Sequence, residues 1–205
     1  MLGNDIVDLD DAETAVGAQH PRFDARVFGP LERDAIARAK DERRLRWATW
    51  AAKEAAFKAA RRLDAATSFC PLRFEVAWLS PARASVAHAA RRFEVEVEDL
   101  PGALHAIGRW EGESTGDVLS GAGLVSALAP ASRESQAPSD AARQLARVRL
   151  ATWLGVEARR ITVTHDGRLP GLRLDGAVVD ASLSFSHHGR YAAFACRLRG
   201  GHLAR

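Results

Sequence analysis

Lysine is scarce in this chain. Of 29 basic residues, only Lys40, Lys53 and Lys58 are lysines, and arginine supplies the rest. Cysteine is scarcer, and Cys70 and Cys196 share no metal or redox spacing. Each lies in an apolar, strand-like context, so they read as buried free thiols in a reducing compartment. No apolar run approaches the roughly 18 residues of a membrane-crossing helix. No basic-then-apolar leader precedes Gly3-Asn4-Asp5, and the expectation is a soluble, cytoplasmic protein. Excess charge is small as well. A net +3 leaves room for an anionic ligand or an acidic partner. Without a basic stripe interleaved with aromatics it argues against nucleic acid. Nothing spaces like a phosphate loop. At 47% hydrophobic and 27% charged residues, the chain is expected to fold rather than stay disordered.

Two of the three lysines fall within Trp50-Ala51-Ala52-Lys53-Glu54-Ala55-Ala56-Phe57-Lys58. Where arginine is the default cation, that clustering points to a need for a compact ammonium. The surrounding stretch from Asp41 to Leu63 has no Gly, no Pro and no β-branched run, and predicts one helix. At 3.6 residues per turn, Trp47, Trp50, Glu54, Phe57, Lys58 and Arg61 share one arc. Leu45, Ala48, Ala52, Ala55, Ala59 and Leu63 share the other. A Glu→Lys pair one turn apart is ordinarily a solvated ornament. A solvated face does not carry three aromatics, and charges set among aromatics need partners, so the pair marks a candidate site.

Met1 to Leu9 alternates as a short strand ending in an acidic turn of Asp5, Asp8, Asp10 and Asp11, residue types that serve as hard-cation ligands. Pro30-Leu31-Glu32-Arg33 opens a helix. Phe69–Leu79, Ala84–His88, Arg92–Val97 and Leu104–Trp110 read as strands of a small antiparallel sheet on the long helix. Gly112 to Gly123 reads as a loop before a short strand at Leu124-Val125. The Pro- and Ser-rich residues 129–139 read as a linker. Ser139 then caps a helix running to Leu154 and stopping at Gly155. Ile161–Thr164 is a strand, with a turn at Asp166-Gly167. Leu183–Ser186 and Tyr191–Leu198 pair around His187-His188-Gly189-Arg190. Adjacent histidines in a strand point to opposite faces and do not share one metal. No βαβ alternation calls for a parallel sheet.

Taken jointly, these segments resemble the 4′-phosphopantetheinyl transferases. Gly3-Asn4-Asp5-Ile6-Val7-Asp8 is similar to the Gly-x-Asp opening of holo-acyl-carrier-protein synthases. Trp50, Lys53, Glu54, Ala55 and Lys58 match the Lys-Glu-Ala-x-x-Lys motif, at the family's distance from Asp5. Asp140-Ala141-Ala142-Arg143 with Leu145, Gly167-Arg168-Leu169-Pro170 and Ser184-Phe185-Ser186-His187-His188-Gly189-Arg190-Tyr191 resemble segments of the other half of the larger, surfactin-synthetase-type enzymes. Those enzymes carry the Ser-His half first, so the halves here stand in permuted order. They also carry a second acid where this chain has Val7, which leaves water or Asp8 to complete a metal shell. The altered Gly-Arg-Leu-Pro turn departs from Gly-Lys-Pro, which bears on the role of Arg168.

The resemblance implies an α+β fold of two half-domains, each an antiparallel sheet packed on a long helix and related by a pseudo-twofold. They would comprise 1–128 with the metal and catalysis, the linker 129–139, and 140–205 gripping the nucleotide. It implies transfer of the 4′-phosphopantetheine group of coenzyme A to a serine of an acyl or peptidyl carrier protein. Such an enzyme depends on Mg²⁺, releases adenosine 3′,5′-bisphosphate, and serves fatty-acid, polyketide or nonribosomal-peptide synthesis. Asp5 and Glu54 would hold Mg²⁺, and Glu54 and Lys58 would be catalytic. Lys58, Arg143, Arg168, Ser186 and His187 would bind coenzyme A. Two halves imply a monomer with an internal pseudo-dimer. The competing readings are an Mg²⁺-dependent hydrolase of a nucleotide pyrophosphate and a non-catalytic module binding coenzyme A or carrier proteins.

Overall fold

The computed structural model describes residues 1–112, 117–129, 136–166 and 169–199, with the backbone alone at 165 and 166. In chain order the first part runs β1 (Leu2–Asp8), α1 (Phe23–Val27), α2 (Pro30–Arg38), α3 (Glu42–Leu63), β2 (Glu75–Ser80), β3 (Arg83–His88), β4 (Arg91–Leu100) and β5 (Ala103–Trp110). There follow β6 (Val118–Leu124), α4 (Val125–Leu128), α5 (Ala137–Leu154), β7 (Ile161–Asp166), β8 (Leu169–Leu174), β9 (Ala177–Val179), β10 (Ala181–His188) and β11 (Tyr191–Leu198).

The first sheet is antiparallel throughout, in the order β1-β5-β4-β3-β2. Along β4, buried Phe93, Val95 and Val97 alternate with exposed Glu94, Glu96 and Glu98, the period-two signature of a sheet with one covered face. The cover is α3, whose N-terminus is capped by Asp41 accepting from the Arg44 amide. Its buried alanines pack with Val7, Phe74, Phe93, Val95 and Leu104. Alanine is required because the helix backbone lies directly on a pair of glycines. Gly3 of β1 and Gly108 of β5 are register partners. A Cβ on Gly3 would stand 2.2 Å from the Ala55 carbonyl oxygen, and one on Gly108 would stand 3.0 Å from the Ala55 carbonyl carbon. Absent side chains thus let α3 approach β1, carrying Glu54 and Lys58 toward Asp5.

Lys53 sits on the wrong side of the helix for a site. It is fully buried, pairs with Glu32 at 2.7 Å, and donates to the carbonyls of Pro71 and Phe74. The Glu32 carboxylate also accepts the Gly29 and Val76 amides, tying α2, α3 and β2 together. One of the two clustered lysines is therefore a core clamp.

The second sheet has the order β10-β11-β6 and the third β7-β8-β9, both antiparallel. Residues Ala146, Leu150 and Ala151 of α5 pack on Ile161, Leu172, Leu183, Phe194 and Cys196. The helix starts at Ala137 rather than beyond a Ser139 cap, with Pro138 accommodated in its first turn, and ends at Gly155, whose φ of +66° is left-handed. Val118–Leu124 is a strand where a loop is expected, and Val125 opens a helix instead of ending a strand. Its glycines are packing devices: a Cβ on Gly121 would meet Phe194 at 3.2 Å, and one on Gly123 would meet Leu128 at 3.1 Å. Because β6 pairs with β11, a strand assigned to the half-domain 1–128 belongs to the second sheet. Residues 130–135 of the expected linker lie outside the described residues. Among the described residues no helix is long and apolar enough to cross a membrane.

Candidate active site

The two parts of the molecule meet along β1. Its odd-numbered residues pair with β5, and its even-numbered amides face the free edge. Side chains of β10 satisfy that edge in register. The amides of Leu2, Asn4 and Ile6 donate to Ser182, Ser184 and Ser186 Oγ at 3.2, 3.0 and 3.2 Å, and that of Asp8 donates to His188 Nδ1 at 3.1 Å. A side-chain seam thus replaces a backbone ladder, sealing an edge that would otherwise leave buried donors unpaired.

At the middle of the seam the candidate residues converge. Asp5 is 7% exposed, and its Oδ1 accepts from Lys58 Nζ at 2.9 Å and from Ser186 Oγ at 2.8 Å. Lys58 also donates to the Asn4 carbonyl at 2.9 Å and to Ser186 Oγ at 3.3 Å. Glu54, one turn before Lys58, faces the same cavity. This cavity of about 310 Å³ is walled by Trp47, Trp50, Phe185 and His187. Burial pushes the Glu54 carboxyl up to about 7, and the Asp5 charge adds to the effect while Lys58 opposes it. Burial, then Lys58 and His188, lower the pKa of the more exposed His187. The expected arc therefore divides. Trp47, Trp50, Glu54 and Lys58 line the cavity, whereas Phe57 turns away onto Phe69 and Phe74, with Arg61 over its ring.

Ser186 is engaged by its neighbours. Its hydroxyl accepts from Ile6 and Lys58 and donates to Asp5, which uses its one proton and both lone pairs. It is a positioning residue for Asp5. The period-two run Ser182, Ser184, Ser186, His188 was the sequence signal for this role: short hydrogen-bonding side chains on alternate strand positions. Arg143 is not brought to the acids. It lines a separate cavity of about 500 Å³ between α5 and β7, with Arg147 and Arg159. Arg168 lies outside the described residues.

Asp5 and Glu54 are the expected ligands of a divalent cation, and their surroundings fit one. Two carboxylates on one cavity, one raised toward 7 partly by the other, carry a repulsion that a hard cation relieves. Both Asp5 contacts fall on Oδ1, which leaves Oδ2 to meet a metal. Asp8 does not complete the shell. It is fully buried and engaged by the Arg190 guanidinium at 2.8 Å, which holds its pKa at about 2. Asp11, Glu13 and His188 cluster at the same end of β1. There His188 Nδ1 accepts the Asp8 amide, so the ring proton sits on Nε2 and no lone pair faces the acids.

A buried strand Asp thus stands beside a helical Glu and Lys, across a seam from a Ser-His strand. The family model described as the 4′-phosphopantetheinyl transferase superfamily matches residues 1–106. The chain belongs to that superfamily, which supports a general role in phosphopantetheine transfer. No curated protein matches the chain.

Proposed function

We propose that the protein transfers the 4′-phosphopantetheine group of coenzyme A to a carrier-protein serine, with Asp5 and Glu54 holding Mg²⁺. The observation carrying this reading is the convergence of Asp5, Glu54 and Lys58 on one cavity. Bound there, the cation would act as a Lewis acid and template for the pyrophosphate. Glu54 would also take the proton of the carrier serine as its oxygen bonds to phosphorus. The bond to adenosine 3′,5′-bisphosphate then breaks, and Lys58 neutralises charge on the phosphates. Ser186 locks Asp5, while His187 faces the nucleotide phosphates. Arg143 and Arg168 keep nucleotide-binding roles on the resemblance alone. The pseudo-twofold, a monomer with one site and a cytoplasmic setting belong to the same proposal.

The test is mass spectrometry of a panel of apo-carrier proteins incubated with coenzyme A and Mg²⁺. We expect the phosphopantetheine mass gain with the native chain and none with Asp5→Ala or Glu54→Gln. Mg²⁺ should raise the melting temperature of the native chain but not of Glu54→Gln. Cleavage of coenzyme A without any carrier would favour a pyrophosphate hydrolase. Full transfer by either variant would remove the metal assignment.

A further inference from the structure

The seam has a second cavity at its other end, away from the acids. About 520 Å³ in volume, it lies between the start of β1, the end of α3 and the β8–β9 hairpin. It shares no lining residue with the cavity of Asp5 and Glu54. Arg62 enters it from α3, one turn beyond Lys58, and Arg199 enters it just past β11. Pro170, Leu172, Val178 and Val179 form an apolar wall, and Asp180, exposed at the mouth, is the one acidic lining residue among those described.

We propose that this cavity is a binding site for a small organic phosphate. Its oxyanion would bridge Arg62 and Arg199, and its apolar body would lie on Leu172, Val178 and Val179. Three features of the structure support the assignment. First, Arg62 is held in place: its Nη2 donates to the Leu183 carbonyl, so the guanidinium is fixed at the cavity wall. Second, two guanidiniums from opposite sides of the seam share one space. Burial and then the Arg199 charge hold the Arg62 pKa down to about 10, a cost that a bound dianion reverses. Third, planar guanidinium forks match phosphate oxygens better than an ammonium does, and the cavity is the size of an ordinary small-molecule site. Neither Asp5 nor Glu54 lines it, so the assignment does not rest on the proposed transfer reaction.

Calorimetric titration of the full chain with phenyl phosphate tests the assignment. Binding is expected in the native protein and in Lys58→Ala. It should weaken at least tenfold in Arg62→Ala and in Arg199→Gln, the latter leaving the Leu183 contact intact should Arg62→Ala fail to fold. At a hundredfold excess over Kd, the ligand should raise the melting temperature of the native chain by about 5 °C. No binding to the native chain, binding lost with Lys58→Ala, or unchanged affinity in a folded arginine variant would overturn the proposal.

Discussion

Lys53 and Lys58 stand five positions apart and do opposite work. Lys53 ends in the core against Glu32, and Lys58 ends at the seam against Asp5. Removing Lys53 strands a buried carboxylate, so Lys53→Met should cost about 3–5 kcal/mol in denaturant unfolding. Lys58→Ala should cost only about 1 kcal/mol of stability but lower turnover roughly 10²- to 10³-fold. Equal stability losses would dissolve the distinction. The arginine-rich composition drew attention to both lysines. It could not separate them, because helical spacing fixes an arc while the partner depends on what packs there. Glu32 lies on another helix, out of reach of any local pattern.

At the scale of elements, the junction of α3 and β1 is the most legible part of the chain. The long helix, the first strand and the antiparallel strands after it were visible as periodicities, although the strand expected from Phe69 begins only at Glu75, after a 3-10 turn at Pro71–Arg73. The glycine pair that sets the distance between them was not, because Gly108 meets Gly3 only through the register of β5. Gly3→Ala places a Cβ against backbone, which cannot yield as a flexible side chain can. It should destabilise the fold by about 3 kcal/mol or more and abolish transfer. Gly29→Ala meets only the end of Glu32 at 3.7 Å and, as an N-cap change, should cost only about 1 kcal/mol. Comparable melting temperatures for the two variants would refute the close-packing account. β6 escaped notice for a related reason. Its glycines weaken the strand pattern, yet they make room for Phe194 and Leu128.

In the molecule as a whole, buried polar groups between the sheets set the response to acid. His105 is fully buried beside Asn4, and burial holds its pKa down to about 4. Below its ordinary value of 6.5 the unfolded chain takes a proton that the folded chain refuses. The His105 contribution to stability therefore falls as pH drops from about 6.5 to 4, by on the order of 2–3 kcal/mol. Glu54 contributes in the opposite sense, its raised carboxyl gaining stability as pH drops from about 7 to its ordinary 4.5. Asp8, held at about 2 by Arg190, contributes stability above its ordinary 3.8 and loses it as pH falls through 2. In urea unfolding against pH, the difference between the native chain and His105→Gln should show the first step, and that between the native chain and Asp8→Asn the second. An unaltered profile in His105→Gln would mean the imidazole is already charged in the folded chain.

The stitched edge of β1 gives a single strand two clocks. Amides of Gly3, Asp5 and Val7 are locked in the sheet with β5 and exchange with deuterium only when that sheet opens. Those of Leu2, Asn4, Ile6 and Asp8 are guarded by side chains of β10 and exchange whenever the two sheets part. Odd-and-even alternation in exchange rate along seven consecutive residues would record, on one chain segment, how often the cleft that holds the acids comes apart.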